Sequence, residues 1–568
     1  MASEGANGGQ SATLGQMSSD TSDPSTPSAT TQPFDALVDA YMEELFADKP
    51  AAATFLGWEG LDDRSPDLTE VGIADRERRT DGWLARFDEL DDALLTPEQR
   101  IDRDLVVSVI RGEQVMRDFQ DWRRNPDTYL GPALMGVFGL FLRRALPEPE
   151  LVAAAEARLR ALPELLDAGR ANLDATMASE ILVRRARRQC DAGQVYARDL
   201  VPAEVEDDDL RARLSDAGQV AAEAFASLGG FLDELADETS GDWAIGEKRY
   251  SGMLREAELL SYDTAGLHAR GEEAWRELDA EMTTLAQSID PSAAGWPEVV
   301  AACGENRPAT PEEMRDAYAA ETARCRSFLV EHELVTFPDG EECEVVPSPP
   351  FQRPVLAVAS YFQPPPFKQS LHGRFNVPYP PDGTPPEEVA KRLSDNGFHA
   401  MPTTAAHEAY PGHHWHLTTM ATAPRLRQVH RSSYFTEGWG LYAERLMREH
   451  GYFADPRDEL MHLNFRIFRA ARIVVDTALH SGEMSVEDAV LHMQERAGLH
   501  EPVARAEVHR YCAWPTQAAS YLTGCLEIER MRERWSAEAR GDLRAFHDTI
   551  AATGGLPIAL AERATFSP

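Results

Sequence analysis

Positive charge is scarce in this sequence. Against 95 Asp and Glu stand 56 Lys and Arg, a formal charge of −39 over 568 residues, and lysine is confined to Lys49, Lys248, Lys368 and Lys391. So little basic surface argues against a nucleic-acid partner, because backbone binders release counterions from phosphates with a positive stripe. Cysteine is sparse too. Cys190, Cys303, Cys325, Cys343, Cys512 and Cys525 stand far apart, with no CxxC pair to mark a thiolate metal knot or a dense disulfide frame. Long apolar runs are also missing. The greasiest stretch, Pro132 to Leu142, is closed by Arg143 and Arg144, short of the ~20 residues a membrane helix needs, and no basic segment followed by an apolar one opens the chain. These absences predict a reduced cytoplasmic protein with neither membrane nor nucleic acid among its partners.

What is present is ordinary apolar content, 43%, in a chain long enough to bury a large core. Residues 1–32 are rich in Ser, Thr, Gly and Pro and read as a disordered leader. From 33 to 338 apolar residues recur at three and four, as in FDALVDAYMEELF and LVAAAEARLRALPELLDAG, which predicts a helical N-terminal region that shapes a cleft. Prolines and β-branched residues dominate 339–385, and strands are expected near 339–382. Helical text resumes from 386 to 568 as the catalytic region. The fold class is therefore mainly α with a small β-rich insertion, and no internal repeat is visible.

The strongest chemical signal is His407-Glu408-Ala409-Tyr410-Pro411-Gly412-His413-His414-Trp415-His416. A His-Glu step puts an imidazole on a metal while the next carboxylate accepts a proton from the water that the metal activates, as in an HExxH helix. The second histidine is displaced here. His407 and His413 are six apart, about 600° on an ideal helix, so they share a face only if the helix breaks between them, and Pro411-Gly412 is a sound place for a break. A surface histidine cluster with incidental metal affinity is the bland alternative.

This segment and four later blocks, YFTEGWGLYAERL (434–446), RAARIVVDTALHSG (469–482), YCAWPTQAASYLTGCLEI (511–528) and FHDTIAATGGLPIAL (546–560), resemble the DUF885 family of bacterial proteins. The family is similar to mostly helical gluzincin zinc metallopeptidases. The resemblance implies a metallopeptidase-like helical body, His407 and His413 as zinc ligands, Glu408 as general base and Glu437 as third ligand. Glu437 follows His413 by 24 residues, enough chain for a turn and a returning helix. Glu444, two helical turns further on, is the rival ligand, or else it orients a ligand histidine or pairs with Arg445 or Arg448. Two neutral imidazoles and one carboxylate leave zinc positive, with an open position suited to polarising an amide.

Arg472, Asp476 and His480 recur every fourth residue on a helix that is otherwise apolar, and buried charges require partners. The stripe is either an internal network or a cavity wall, with His480 as a substrate-binding candidate. Tyr521 and Tyr511 are candidate donors to the oxyanion. Gln517, four residues before Tyr521, faces the same cavity or bridges helices, and Asn376 binds a peptide backbone or stabilises a turn. An exposed strand edge beside the zinc would align a peptide by backbone pairing.

The expected activity is zinc-dependent hydrolysis of a short peptide or peptide-like amide, with homo-oligomer formation left open. A metal-dependent hydrolase of a nonpeptide amide or ester and a noncatalytic binding or scaffold protein are the alternatives.

Overall fold

The computed structural model describes residues 34–350, 352–353, 358–368, 370–381 and 383–566. The leader expected at 1–32 lies outside them. The chain is 70% helix and 3% strand, and many of its helix starts carry a side-chain cap. Thr96 and Gln99 form a reciprocal capping box, and Asp207 and Ser485 each accept a backbone N–H of the helix that follows.

Two main apolar cores organise the helices. In the first, α1 (Asp127–Arg143), α2 (Glu148–Asn172), α3 (Glu180–Val195) and α4 (Asp208–Glu238) pack through Leu130, Val137, Leu159, Leu166, Leu214 and Phe225. The greasy stretch 132–142 lies inside α1 and packs in this core, and no described helix is long and apolar enough to cross a membrane. The second core joins both ends of the chain, from Met42 and Leu105 through Met282 of α5 (Thr264–Ile289) and Tyr318 to Trp439, Ile467 and Phe546. The segment 33–338 thus contributes to both cores, and its ends close around the C-terminal helices.

The β-rich insertion forms β1 (Glu342–Pro347), β2 (Ser360–Phe362) and β3 (His372–Val377), ordered β1-β3-β2, with β3 parallel to β1 and antiparallel to β2. Short β2 is an edge strand. Its Tyr361 hydroxyl lies 2.9 Å from Nδ1 of His414, whose Nε2 lies 2.7 Å from Glu341 just before β1. These bonds fasten the sheet to the His-Glu segment.

Candidate metal centre

The His-Glu segment is two helices. α6 (Met401–Glu408) stops after Glu408, and α7 (His413–Thr419) starts at His413. The break falls at the expected Pro411-Gly412, and Gly412 lies so close to the end of α6 that an added Cβ would stand 1.8 Å from the His407 carbonyl oxygen. Freed from one helical phase, the two rings meet edge to face with centroids 4.7 Å apart. α8 (Ser433–Glu449) then brings in Glu437, while α9 (Pro456–Ser481) and α11 (Ser520–Ala537), with α10 (Glu501–Ala513) between them in the chain, close the surroundings.

His407, His413 and Glu437 present ligand atoms that all lie within 4.8 Å of one another. Glu437 Oε2 is 3.7 Å from His407 Nε2 and 3.6 Å from His413 Nε2. Those separations are long for hydrogen bonds. They come close to the roughly 3.4 Å between neighbouring ligands of a tetrahedral zinc with bonds of ~2.1 Å, so the donor set fits such an ion. Burial opposes ionisation of His407, but the carboxylates of Glu437 and Glu444 outweigh it and raise its pKa to about 10. Glu437 is likewise buried, yet the two imidazoles hold its carboxyl far below the usual range. The field at this point favours a cation, whether proton or metal.

Glu444 stands behind His407, with Oε1 2.8 Å from Nδ1, which leaves Nε2 to face Glu437. Its other oxygen accepts from the Thr403 hydroxyl at 3.0 Å and lies 3.3 Å from His462 Nδ1. Of the roles open to it in the sequence, the geometry gives it that of fixing the ring of His407, a common arrangement around metal-binding imidazoles. The room for that ring comes from Gly440, where an added Cβ would lie 2.5 Å from the imidazole. Glu408 is partly exposed and makes no side-chain hydrogen bond among the described residues. Burial and the Glu437 charge raise its pKa, against the pull of the two histidines, which suits proton exchange.

Tyr521 is near this cluster: Glu437 acts on its hydroxyl, which receives only a 3.4 Å contact from Gln517. Gln517 is held on its other side by Arg510, at 2.5 Å. The remaining candidates are not brought together with the cluster. The Tyr511 hydroxyl donates to Glu507 at 2.7 Å and accepts from Arg472 Nε at 3.1 Å, while Arg472 pairs with Glu507 at 2.8 Å. Asp476 accepts from Tyr250 at 2.6 Å and from the Thr516 amide at 3.1 Å. His480 is fully buried against Trp243 and Tyr250, with Nε2 3.0 Å from the Tyr511 carbonyl. The stripe is an internal network. Asn376 lies on β3 and reaches only strand carbonyls at 3.4 Å.

Sequence reasoning missed Arg469. Its charge acts on Glu408 and Glu444 and is felt with that of Glu437, its Nε is buried without a partner, and it lies over the Tyr521 ring. The signal was its place seven residues after His462, on the same face of α9. A second group, His399, Asp455 and Asp458, also brings ligand atoms within 4.8 Å. Its atoms are already used: Asp458 and Asn306 take the two ring nitrogens of His399, and Asp455 caps α9 and pairs with Arg457. A groove of 1080 Å³ beside Trp58, Phe367 and Arg425 contains none of the three candidate ligands.

The family model described as "Bacterial protein of unknown function (DUF885)" matches residues 50–564. The chain belongs to the DUF885 family. Two solved structures share the fold of this DUF885 protein. One, described as "a putative lipoprotein of unknown function from Shewanella oneidensis", has a TM-score of 0.78 and 20% identity, over 94% of this chain and 99% of that one. The other, "the putative lipoprotein from Colwellia psychrerythraea", has a TM-score of 0.79 and 19% identity, over 94% and 98%. No curated protein matches. The lipoprotein descriptions overturn the expected cytoplasmic location. That expectation leaned on scattered cysteines, which are free in the structure and by themselves do not report a compartment.

Proposed function

We propose that this DUF885 protein is a gluzincin-like zinc hydrolase of a peptide or peptide-like amide. The observation that carries the reading is the convergence of His407, His413 and Glu437 from three helices, with the unbonded carboxyl of Glu408 beside them and Glu444 fixing the tautomer of His407. A zinc ion held by those three residues would supply Lewis-acid polarisation of a carbonyl and of water.

The chain's own residues do the rest. Glu408, with its raised pKa, takes a proton from the attacking water and returns it to the leaving amine. Tyr521 and Arg469, both within electrostatic reach of Glu437, are the donors assigned to the negative charge of the tetrahedral intermediate. A place at the cell envelope is the location that the lipoprotein neighbours favour.

The test is metal analysis together with turnover on pooled short peptides and acylated amines. Zinc near one per chain is expected in the unsubstituted protein and in Glu408→Gln, and turnover only in the former. If His407→Ala and His413→Ala bind zinc as the unsubstituted protein does, the site is wrong. If the zinc-loaded protein turns over nothing, the hydrolase reading is wrong.

A further inference from the structure

Most arginines of this acidic chain pair with a carboxylate; of the enclosed ones that do not, Arg143 and Arg431 share one partner, Gln363. Arg143, the last residue of α1, spends Nε on the Phe55 carbonyl at 2.8 Å and Nη1 on the Gln363 carbonyl at 2.5 Å, and its Nη2 is buried with no partner among the described residues. Arg431 donates to Gln363 Oε1 and makes no other hydrogen bond among the described residues. It stays partly exposed, although its surroundings are dense enough that burial lowers its pKa to about 10. The two charges repel each other, and neither has an acid within ion-pair distance among the described residues.

A third buried arginine shows what a purely structural one looks like here. Arg158 is spent on the carbonyls of Pro50, Leu61, Arg64 and Gly136 and on the Thr54 hydroxyl. Arg143 and Arg431 keep donors in hand, and so does the residue between them. Gln363 is 6% exposed; its Oε1 accepts from Arg431, while its Nε2 is buried with no partner among the described residues. These donors connect to the candidate metal centre along the chain and through His416: Arg431 immediately precedes Ser432, the cap of the helix that carries Glu437, and the charges of both Arg431 and His413 act on the buried His416.

We infer that Arg431, backed by Gln363 and Arg143, binds a carboxylate of the substrate, so that the protein takes an amide carrying a free carboxyl near the scissile bond. A guanidinium fork matches a planar carboxylate with two parallel hydrogen bonds, and the anion removes the cost of two enclosed like charges. The inference rests on the hydrolase reading for the position of the scissile bond, and its test separates the two.

The probe is a set of N-acetyl dipeptides, each as the free acid and as the C-terminal amide, titrated calorimetrically into full-length, zinc-loaded Glu408→Gln. Acids are expected to bind about tenfold tighter than amides. Adding Arg431→Gln should bring the acids down to the level of the amides, and Arg431→Lys should keep part of the preference. Unchanged zinc content and thermal unfolding show that the variants fold. If Arg431→Gln does not fold, Arg143→Gln should narrow the same preference severalfold. Equal binding of acids and amides, a preference that survives both substitutions, or binding of neither probe overturns the inference. Turnover without acid preference leaves the hydrolase reading standing and removes the carboxylate site. Acid-selective binding with no turnover by the unsubstituted protein does the reverse.

Discussion

α9 carries buried polar residues along its whole length, and its two halves use them differently. On the N-terminal side, as far as the midpoint at Arg469, His462 lies against Glu444 and Arg469 is under the charges of Glu444 and Glu437, where atoms from α6, α7 and α8 point at one place. In the C-terminal half Arg472, Asp476 and His480 are matched pairwise to Glu507, Tyr250 and the Tyr511 carbonyl. Burial does not distinguish the halves, and neither does a polar atom without a partner, since His462 Nε2 and Arg469 Nε in one and Asp476 Oδ1 and His480 Nδ1 in the other all lack one. Convergence does. A candidate reactive site is where ligand atoms of several elements share a neighbourhood, whereas a stabilising network resolves into pairs.

The widest separation of the two halves is expected from Glu408→Gln against Arg472→Met. The first should lower turnover by about 10²- to 10⁴-fold with unaltered unfolding temperature, because it removes a proton carrier. The second should keep zinc and lose stability at the low end of about 3–5 kcal/mol, since Arg510 still pairs with Glu507 at 2.9 Å. Zinc analysis, kinetics and denaturant unfolding read all three quantities. A loss of metal in Arg472→Met would merge the halves and break the comparison.

Next in size is Glu444→Gln. The amide accepts from His407 more weakly than a carboxylate does, so zinc affinity measured against a competing chelator should fall about 10- to 100-fold. An unchanged affinity would mean that Glu444 only packs. The most gradual effect is a pH slope. Burial raises the Asp476 pKa to about 7. Over pH 4 to 7 the folded form then holds more protons than the unfolded one, so stability contributed by this group falls as pH rises, by up to about 1.4 kcal/mol per unit. Asp476→Asn keeps an acceptor for Tyr250 and should flatten that slope in urea titrations at several pH values.

Legibility in the sequence followed the reach of local geometry. The six-residue spacing of His407 and His413 demanded a break, and Pro411-Gly412 marked it. Spacing alone could only allow Glu437 as a third member, and the family resemblance singled it out. Glu444 was legible as a supporting residue because seven positions return to one helical face. The stripe 472-476-480 announced its burial through its apolar neighbours, but its partners are set by the packing of α9 against distant chain. Glu507 lies 35 residues away and Tyr250 226. For the same reason Tyr511 read as a donor when its hydroxyl was already engaged, and Arg469 went unnoticed. The strands were legible through proline and β-branched residues, but their order was not.

Gly440 bears on how distant members of such a family are to be recognised. Three positions beyond the candidate ligand Glu437, a residue that presses on the His407 imidazole admits no side chain. A search pattern built only from the two histidines and the glutamate would admit chains in which that ring has nowhere to sit. Adding the glycine turns a list of donors into a statement about the thickness of a helix, which a chance match is less able to satisfy.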